Sequence, residues 1–531
     1  MEKTSKVAKT MVRIETALMS AANKEGIVDF ARELVKMEVQ ILSTGGTALT
    51  LRQAGLPVKE LSEEMGISPM LGGRVKTLHP NIHAGILALR DNPQHLQEMK
   101  ALNIDLIDMV VVNFYPFAQV ANKEETTLEQ ALQNIDIGGP TMLRSAAKNF
   151  RYVAAVSSPE QYPGIIKELR ENKGSLSIWT RRDLARRVFR STACYDEFIA
   201  NYLGDEQKER FPEVVNLNLG KVEDLRYGEN PHQRAALYLD SARGEVSTSS
   251  SWQISGKKPS FNNLLDLDAA LRIVREFAQP AAVVIKHTNP CGLGCASSLP
   301  EAYRKALSGD PVSAFGSIVG LNRVLDRATA LKIASHSSFI EGIIAPGYQQ
   351  EALQVLRTKQ KWGKNVCILK TGAFSTPPKE RWNMKTVEQG YLLQEEDRET
   401  YLPAQLKTVS QRRPSSQEEQ DLLFAWKVSK WVKSNAIVLA KNRAVVGVGA
   451  GQMSRIDSTL IAIRKAAVRA KDTVLASDAF IPFPDVVEAA GKAGITAIIQ
   501  PGGASRDKEV IKTVNEHRMA MLFTGIRHFR H

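Results

Sequence analysis

Three stretches decide the fold of the N-terminal part: Val39-Gln40-Ile41-Leu42, Ile107-Asp108-Met109-Val110-Val111-Val112 and Tyr152-Val153-Ala154-Ala155-Val156. Each is a short apolar run, rich in β-branched residues. Each ends in a polar tail: Ser43-Thr44-Gly45-Gly46-Thr47, Asn113-Phe114-Tyr115-Pro116 and Ser157-Ser158-Pro159. Helical patterns lie between them. Strands alternating with helices predict an α/β domain with a parallel sheet covered on both faces. Ligands bind such sheets at the carboxyl ends of the strands, where these polar tails lie.

Beyond this region, Leu184, Val188, Tyr195, Ile199 and Tyr202 recur at spacings of three, four or seven and predict one face of a long helix. The charged stretch 205–210, followed by Phe211-Pro212, reads as a linker, so the domains are placed at 1–215 and 216–531. The second part repeats the strand, loop and helix logic. Ala282-Val283-Val284-Ile285 runs into Lys286-His287-Thr288-Asn289-Pro290-Cys291-Gly292, and Ala444-Val445-Val446-Gly447-Val448-Gly449-Ala450-Gly451 runs into Gln452-Met453-Ser454-Arg455. The region between, about 350–415, is polar and contains prolines. Two α/β lobes are expected, about 220–370 and 415–531. No short-period repeat is visible.

The chain has 531 residues, 43% apolar and 24% charged, which excludes a largely disordered or fibrous protein. No apolar run approaches the length of a membrane-spanning helix, so no membrane partner is expected. The opening MEKTSKVAKTMVR lacks the apolar segment of a secretory signal. Four cysteines, Cys194, Cys291, Cys295 and Cys367, fit a reducing cytoplasm. The 70 Lys and Arg exceed the 57 Asp and Glu, for a net charge of +13, which suggests anionic partners. Without a Lys/Arg run or an aromatic-studded basic motif, small phosphorylated molecules are favoured over nucleic acid.

Several clusters carry chemistry. In Gly72-Gly73-Arg74-Val75-Lys76-Thr77-Leu78-His79-Pro80, glycines let backbone N–H groups approach an anion that Arg74 and Lys76 neutralise. The alternative is a solvated basic loop. Asp136-Ile137-Gly138-Gly139-Pro140-Thr141 opens a helical run ending at Lys148. Gly138 and Gly139 present N–H groups there to an anion or a developing oxyanion, with Lys148 two turns on. The bland alternative is an ordinary helix start. Ser43-Thr44-Gly45-Gly46-Thr47 is a candidate phosphate loop without a Walker pattern. Gly447, Gly449 and Gly451 give a weak dinucleotide signal, since strand glycines also serve close packing.

Lys286-His287 is the sharpest pair. Adjacent Lys and His at a strand end divide acid and base roles, unless the His merely serves a turn carbonyl. His287, Cys291 and Cys295 invite a zinc reading, but Asn289 stands where zinc deaminases need Glu, and CxxxC replaces CxxC. No catalytic metal is expected.

The motifs STGGTA, GRVKTLHP, NFYPF, DIGG, RYGENPHQ, NNLLDLDAA, KHTNPCG, SAFGSIVG, EGIIAPGY, SNAIVLA, GAGQMSR, SDAFIPFPD and RHFRH follow in this order over nearly the whole chain. Together they closely resemble the bifunctional AICAR transformylase/IMP cyclohydrolase family of purine biosynthesis. The resemblance implies a methylglyoxal-synthase-like N-terminal domain, which closes formyl-AICAR to IMP. It also implies two cytidine-deaminase-like lobes without catalytic zinc, which transfer a formyl group from the co-substrate 10-formyltetrahydrofolate to AICAR. It further implies a homodimer.

For formyl transfer the resemblance assigns Lys286, His287 and Asn435 to catalysis. Substrate contacts fall on Arg226, Tyr227, Phe315, Glu341, Arg455, Phe480, Phe483, Arg527 and His531. Glu341 stands where relatives carry Asp. For ring closure it assigns Lys148, Tyr115, Asp136 and Lys76 to proton transfer and orientation, and Arg74, Thr77, Gly138 and Gly139 to the phosphate or oxyanion. One segment departs from the family's ISVSDKTG. Here it reads Met19-Ser20-Ala21-Ala22-Asn23-Lys24-Glu25-Gly26, keeping Ser20 and Lys24 but placing Ala22 and a phosphate-repelling Glu25 where relatives carry hydroxyls. Ser43, Thr44, Gly45 and Thr47 remain for the phosphate. Two rivals fit less well. A regulatory nucleotide-binding protein needs no Lys-His pair, and a zinc deaminase lacks its ligand pattern.

Overall fold

The computed structural model describes residues 11–64, 71, 75, 77–114, 117, 121, 126–204, 211–240, 253–335, 339–374, 382–401 and 403–531. The chain divides near Asn218 into two compact units.

In the first unit, β1 (Thr16–Ala21), β2 (Gln40–Ser43), β3 (Lys59–Glu60), β4 (Met109–Asn113) and β5 (Ala154–Val156) form an all-parallel sheet in the order β3-β2-β1-β4-β5. Both faces are buried. Met109 and Val111 enter one core with Met19, Phe30 and Leu34, while Val110 and Val112 enter the other with Leu18, Ile86 and Leu143. Double burial explains why this strand reads as an unbroken apolar run rather than an alternating one. The helices that matter for function are α1 (Ile27–Lys36), α2 (Gly45–Gln53), α3 (Pro80–Leu87), α4 (Gly138–Lys148) and α5 (Ile178–Gly204). In α5, Leu184 and Val188 are buried as their spacing predicts, while the Tyr195 and Tyr202 rings pack against Phe117. The expected linker at 205–210 lies outside the described residues.

The second unit is built on one twelve-stranded sheet. Its strands are β6 (Gln253–Ser255), β7 (Ala281–Lys286), β8 (Asn289–Cys295), β9 (Ser317–Leu321), β10 (Ile340–Ala345) and β11 (Cys367–Lys370). After a separate hairpin, β12 (Trp382–Val387) and β13 (Gly390–Glu395), come β14 (Lys407–Thr408), β15 (Ile437–Lys441), β16 (Ala444–Gly449), β17 (Val474–Ser477), β18 (Ala497–Gln500) and β19 (Ala520–Phe523). The order is β6-β11-β10-β9-β7-β8-β16-β15-β17-β18-β19-β14.

The two halves of this sheet are duplicates. β7 pairs antiparallel with β8 and β9, followed by parallel β10 and β11. β15 pairs antiparallel with β16 and β17, followed by parallel β18 and β19. Both central hairpins carry an irregularity at the same place, between Val284 and Ile285 and between Leu439 and Ala440. Helix α6 (Phe261–Arg275) corresponds to α7 (Ser416–Ser429), and α8 (Leu299–Gly309) to α9 (Arg455–Ala466).

The two expected lobes, about 220–370 and 415–531, are thus continuous through one sheet. Residues 350–358 and 367–370 form a helix and β11 of the first half. On one face of the sheet a single core joins Val283, Ile285 and Ile273 to Val438, Ala440 and Trp426. Only on the other face do the halves keep separate cores. The Gly447-x-Gly449 pattern is a packing device, because a Cβ at Gly449 would collide with the Ser458 carbonyl of α9. Gly292-x-Gly294 plays the same part against α8.

Because β8 and β16 are antiparallel, the halves run in opposite directions. One edge of the sheet therefore gathers the carboxyl ends of β7, β16, β17, β18 and β19 and the amino ends of β8, β9, β10, β11 and β15.

Candidate active sites

That edge holds most of the residues singled out in the second unit. Lys286 ends β7 and its Nζ donates to the Phe315 carbonyl. Gly316 beside it sits at φ 71°, a conformation that favours glycine. His287 follows in the hairpin turn and is exposed. Lys286, His287, Asn289, Cys291, Asp310 and Gln452 help line a cavity of about 270 Å³. Asn435 joins this cavity through Gln452, whose carbonyl accepts from the Asn435 backbone N–H at 3.1 Å and its Nδ2 at 2.9 Å.

The second Nδ2 hydrogen of Asn435 goes to the Met453 carbonyl at 3.1 Å, and its Oδ1 accepts from Arg455 Nη2 at 2.8 Å. The amide expected as an oxyanion donor is thus held on three sides, and it must exchange one carbonyl to serve a ligand. Arg455, expected at a substrate, is buried against Ser477, Asp478 and Asn435. Its guanidinium orients Asn435.

Phe315, Phe480 and Phe483 are 61%, 39% and 49% exposed. They stand around the edge as open apolar rings suited to flat aromatic ligands. Glu341 Oε2 pairs with Lys257 Nζ at 2.8 Å, and that ammonium lies 5.8 Å from the Phe339 ring, itself 6.0 Å from Phe315. Lys257 follows β6 by two residues, and that strand is too short and polar to stand out in the sequence. Arg226 packs over Tyr227, and Arg527 over Phe529 at 4.8 Å. Arg527 and His531 are exposed, but the tail that carries them is docked. The His528 N–H donates to the Asp478 carbonyl at 2.8 Å, Arg530 exchanges hydrogen bonds with Ser434, and Lys385 Nζ donates to the His531 carbonyl at 3.0 Å. Burial pushes the thiols of Cys291 and Cys295 up to about 12, so both are protonated at neutral pH. Among the described residues no three His, Cys, Asp or Glu side chains gather as a metal site.

In the first unit, the carboxyl ends of β1, β2 and β4 lie side by side. Ser43 Oγ donates to the Met19 carbonyl at 2.7 Å, and Thr47 Oγ1 bonds both backbone groups of Ala21. Ser43 thus ties β2 to β1 and Thr47 ties α2 to β1, rather than facing a ligand. Thr44 is different: it precedes α2, is buried, and its hydroxyl has no partner among the described residues. Gly45 N–H reaches Glu60 Oε1 at 3.3 Å. Lys24 Nζ comes within 3.2 Å of the position a Gly46 Cβ would take. An ammonium over a helix N-terminus suits an anion, and it offsets the exposed Glu25 nearby.

Asp136 Oδ1 accepts from the Gly139 N–H at 2.9 Å. That corrects the expectation of two bare glycine N–H groups, since the carboxylate itself fills one helix-end donor. Burial raises the Asp136 pKa, and the Gly139 N–H draws it partly back. Thr77 Oγ1 lies against Gly138, where a Cβ would collide with it. His83 Nδ1 meets Ser145 Oγ of α4 at 3.0 Å, and burial lowers the His83 pKa. Sequence spacing alone did not single out His83. Lys148 is exposed in the last turn of α4, about 15 Å of helix axis from Gly138 at ~1.5 Å per residue. The structure does not bring it to the helix N-terminus. Ser20 is half-buried at the end of β1. Arg74, Lys76 and Tyr115 lie outside the described residues.

A parallel-sheet unit with a helix start suited to an anion, followed by a duplicated sheet with a Lys-His edge, fits a two-site enzyme of small anionic substrates. The AICARFT/IMPCHase bienzyme family model matches residues 146–465, and the MGS-like domain model matches 26–141. The "Bifunctional purine biosynthesis protein PurH" of Anoxybacillus flavithermus is 49% identical over 515 residues, 97% of this chain and 99% of its own length. The proteins of the same name from Bacillus cytotoxicus and Bacillus cereus are each 48% identical over the same shares. A solved chain described as "Crystal structure of ForH" covers 36% of this chain and 100% of its own, at 33% identity and a TM-score of 0.33.

The chain belongs to the AICARFT/IMPCHase bienzyme family. It is an AICAR formyltransferase and IMP cyclohydrolase of purine biosynthesis, with 10-formyltetrahydrofolate as co-substrate. Among the described residues no helix is long and apolar enough to cross a membrane.

Proposed function

We propose that formyl transfer takes place at the shared edge of the twelve-stranded sheet, and ring closure at the strand ends of the first unit. The observation that carries this reading is the convergence of Lys286, His287, Phe315, Asn435 and Phe480 on one edge. The AICAR amine is conjugated to an electron-poor ring and is a weak nucleophile. His287 takes its proton as the nitrogen attacks the formyl carbon. Lys286 steadies the oxyanion and supplies a proton to the folate nitrogen as the carbon–nitrogen bond breaks. Asn435 adds an amide donor. Arg226, Arg527 and His531 serve the phosphate side, while Tyr227, Phe315, Phe480 and Phe483 serve the flat rings. Glu341 contacts substrate, and Arg455 acts through Asn435.

In ring closure the carboxamide nitrogen attacks the formyl carbon and the carbinolamine loses water. Tyr115, Asp136 and Lys76 move or orient protons. Arg74, Thr77, Gly138 and Gly139, with Ser20, Lys24, Ser43, Thr44, Gly45 and Thr47, shape the anion-binding walls. The cyclohydrolase domain spans 1–215 and the transformylase domain 216–531. The protein works in the cytoplasm as a homodimer, which sedimentation of the purified chain tests. The test of the two-site assignment is genetic separation. His287→Ala should abolish formyl transfer and spare cyclisation of supplied formyl-AICAR, and Asp136→Ala should do the reverse. Loss of both activities in either folded variant would overturn it.

A further inference from the structure

The duplication in the second unit reveals a residue whose part the sequence motifs do not suggest. His287 and Thr288 are the two central residues of the β7–β8 turn, at φ 50° and 61°. Their counterparts in the β15–β16 turn are Asn442 and Arg443, at φ 54° and 55°. Asn tolerates this left-handed conformation, but a β-branched residue such as Thr288 is a genuine outlier there. Such strain persists only where neighbouring groups over-determine it.

The restraint is a carboxylate, and it too is duplicated. Asp421 of α7 accepts from the Asn442 N–H at 2.8 Å and the Arg443 N–H at 2.6 Å. Asp266, at the equivalent place on α6, accepts from the Thr288 N–H at 2.6 Å and also draws on the His287 N–H. The same spacing along the chain relates Asp266 to Asp421, Lys286 to Lys441 and Gly292 to Gly447. At the opposite edge the device merely closes a hairpin. At the active edge the same device holds a strained His-Thr turn.

The geometry points to Asp266 as the positioning residue of the formyl-transfer site. By binding the turn amides it fixes the backbone that aims the His287 imidazole and sets Lys286 against the Phe315 carbonyl. It touches no reacting atom. This rests on the assignment of His287 as the base.

Four variants of the full-length protein test it: Asp266→Ala, Asp266→Asn, Asp421→Ala and His287→Ala. Each is measured for formyl-transfer kcat, AICAR KM, cyclisation and Tm. A misplacement of about 1 Å costs about 100-fold in rate, so Asp266→Ala is expected to lose about that much kcat while its AICAR KM and cyclisation hold. Asp266→Asn keeps an acceptor oxygen for Thr288 and should recover about tenfold of the loss, a rescue of orientation rather than of charge. Asp421→Ala should lower Tm comparably and leave formyl transfer intact. Wild-type kcat in both Asp266 variants overturns the proposal. So does a kcat loss in Asp421→Ala that follows Tm as it does in Asp266→Ala. If Asp266→Ala does not fold, Asp266→Asn decides alone: a lower kcat at unchanged KM supports the role and parity refutes it. Full activity in His287→Ala would instead remove the assignment of the base on which the inference rests.

Discussion

Arg455 and Asp478 form an ion pair sealed inside the protein, with side-chain exposures of 6% and 0%. Asp478 also accepts from Ser434 Oγ, and Arg455 turns its free Nη2 onto Asn435. The pair therefore joins the second half's core to the amide at the active edge.

Removing one partner of a buried pair strands the other charge. Arg455→Ala is expected to destabilise the second unit by about 3–5 kcal/mol, measured by denaturant unfolding. Arg455→Lys keeps the charge but loses the fork that reaches Asp478 and Asn435 together. Its formyl-transfer kcat should fall at least about tenfold, with cyclisation unchanged. Wild-type turnover in Arg455→Lys would mean that the Gln452 and Met453 carbonyls alone hold Asn435.

The C-terminal tail separates binding from support. Arg527 is exposed, and a guanidinium–phosphate contact is a charge-assisted bond of about 1.5–3 kcal/mol. Arg527→Ala should raise the AICAR KM at least about tenfold and leave kcat nearly unchanged. Deleting 527–531 also removes His528 and Arg530, which brace Asp478 and Ser434, and should lower kcat as well. Steady-state kinetics distinguish the two. Equal effects of point mutation and deletion would reduce the tail to its one cation.

Glu418 gives a pH signature. Burial alone would raise its pKa, but Arg412, Thr496 and the Ser415 N–H outweigh burial and hold the carboxylate at about 2, below its ordinary 4.5. A depressed carboxylate contributes stability that is complete above about 4.5 and lost as pH falls through about 2. Glu418→Gln should therefore unfold earlier than wild type at neutral pH, with the gap closing across that window. A pH-independent gap would assign the loss to packing.

Asp136 has the opposite sign. Its folded-state pKa is raised by burial, so its contribution is favourable below the ordinary 3.8 and is lost as pH rises through the folded value. Asp136→Asn keeps an acceptor for Gly139 and removes the buried charge. The variant should melt higher than wild type at pH 7 and match it in acid, while cyclisation drops at least about tenfold. A lower Tm at pH 7 would contradict the assigned cost of the charge.

Much of this was legible in the chain. Val110-Val111-Val112 announced a doubly covered strand, and Leu184 with Val188 announced α5. Lys286-His287 stood out because a charged pair ended an apolar run. The twelve-stranded sheet did not show itself, because strand periodicity is local while the β8–β16 pairing joins residues far apart in sequence. The duplication left few matched signals, among them Asp266 with Asp421, Lys286 with Lys441 and Gly292-x-Gly294 with Gly447-x-Gly449, and close packing alone keeps those glycines. The commitments of Ser43, Thr47 and Arg455 were equally hidden. A hydroxyl or guanidinium in a motif reads the same whether it faces a ligand or braces a neighbouring strand.

The outermost strands of the sheet are its shortest, three residues at Gln253–Ser255 and two at Lys407–Thr408, and each runs antiparallel to the strand inside it. A long flat margin invites another chain to add itself as the next strand; a stub does not. Twelve strands of apolar sheet thus end with little exposed template for runaway pairing. Growth into a fibre by strand addition along this sheet is thereby disfavoured.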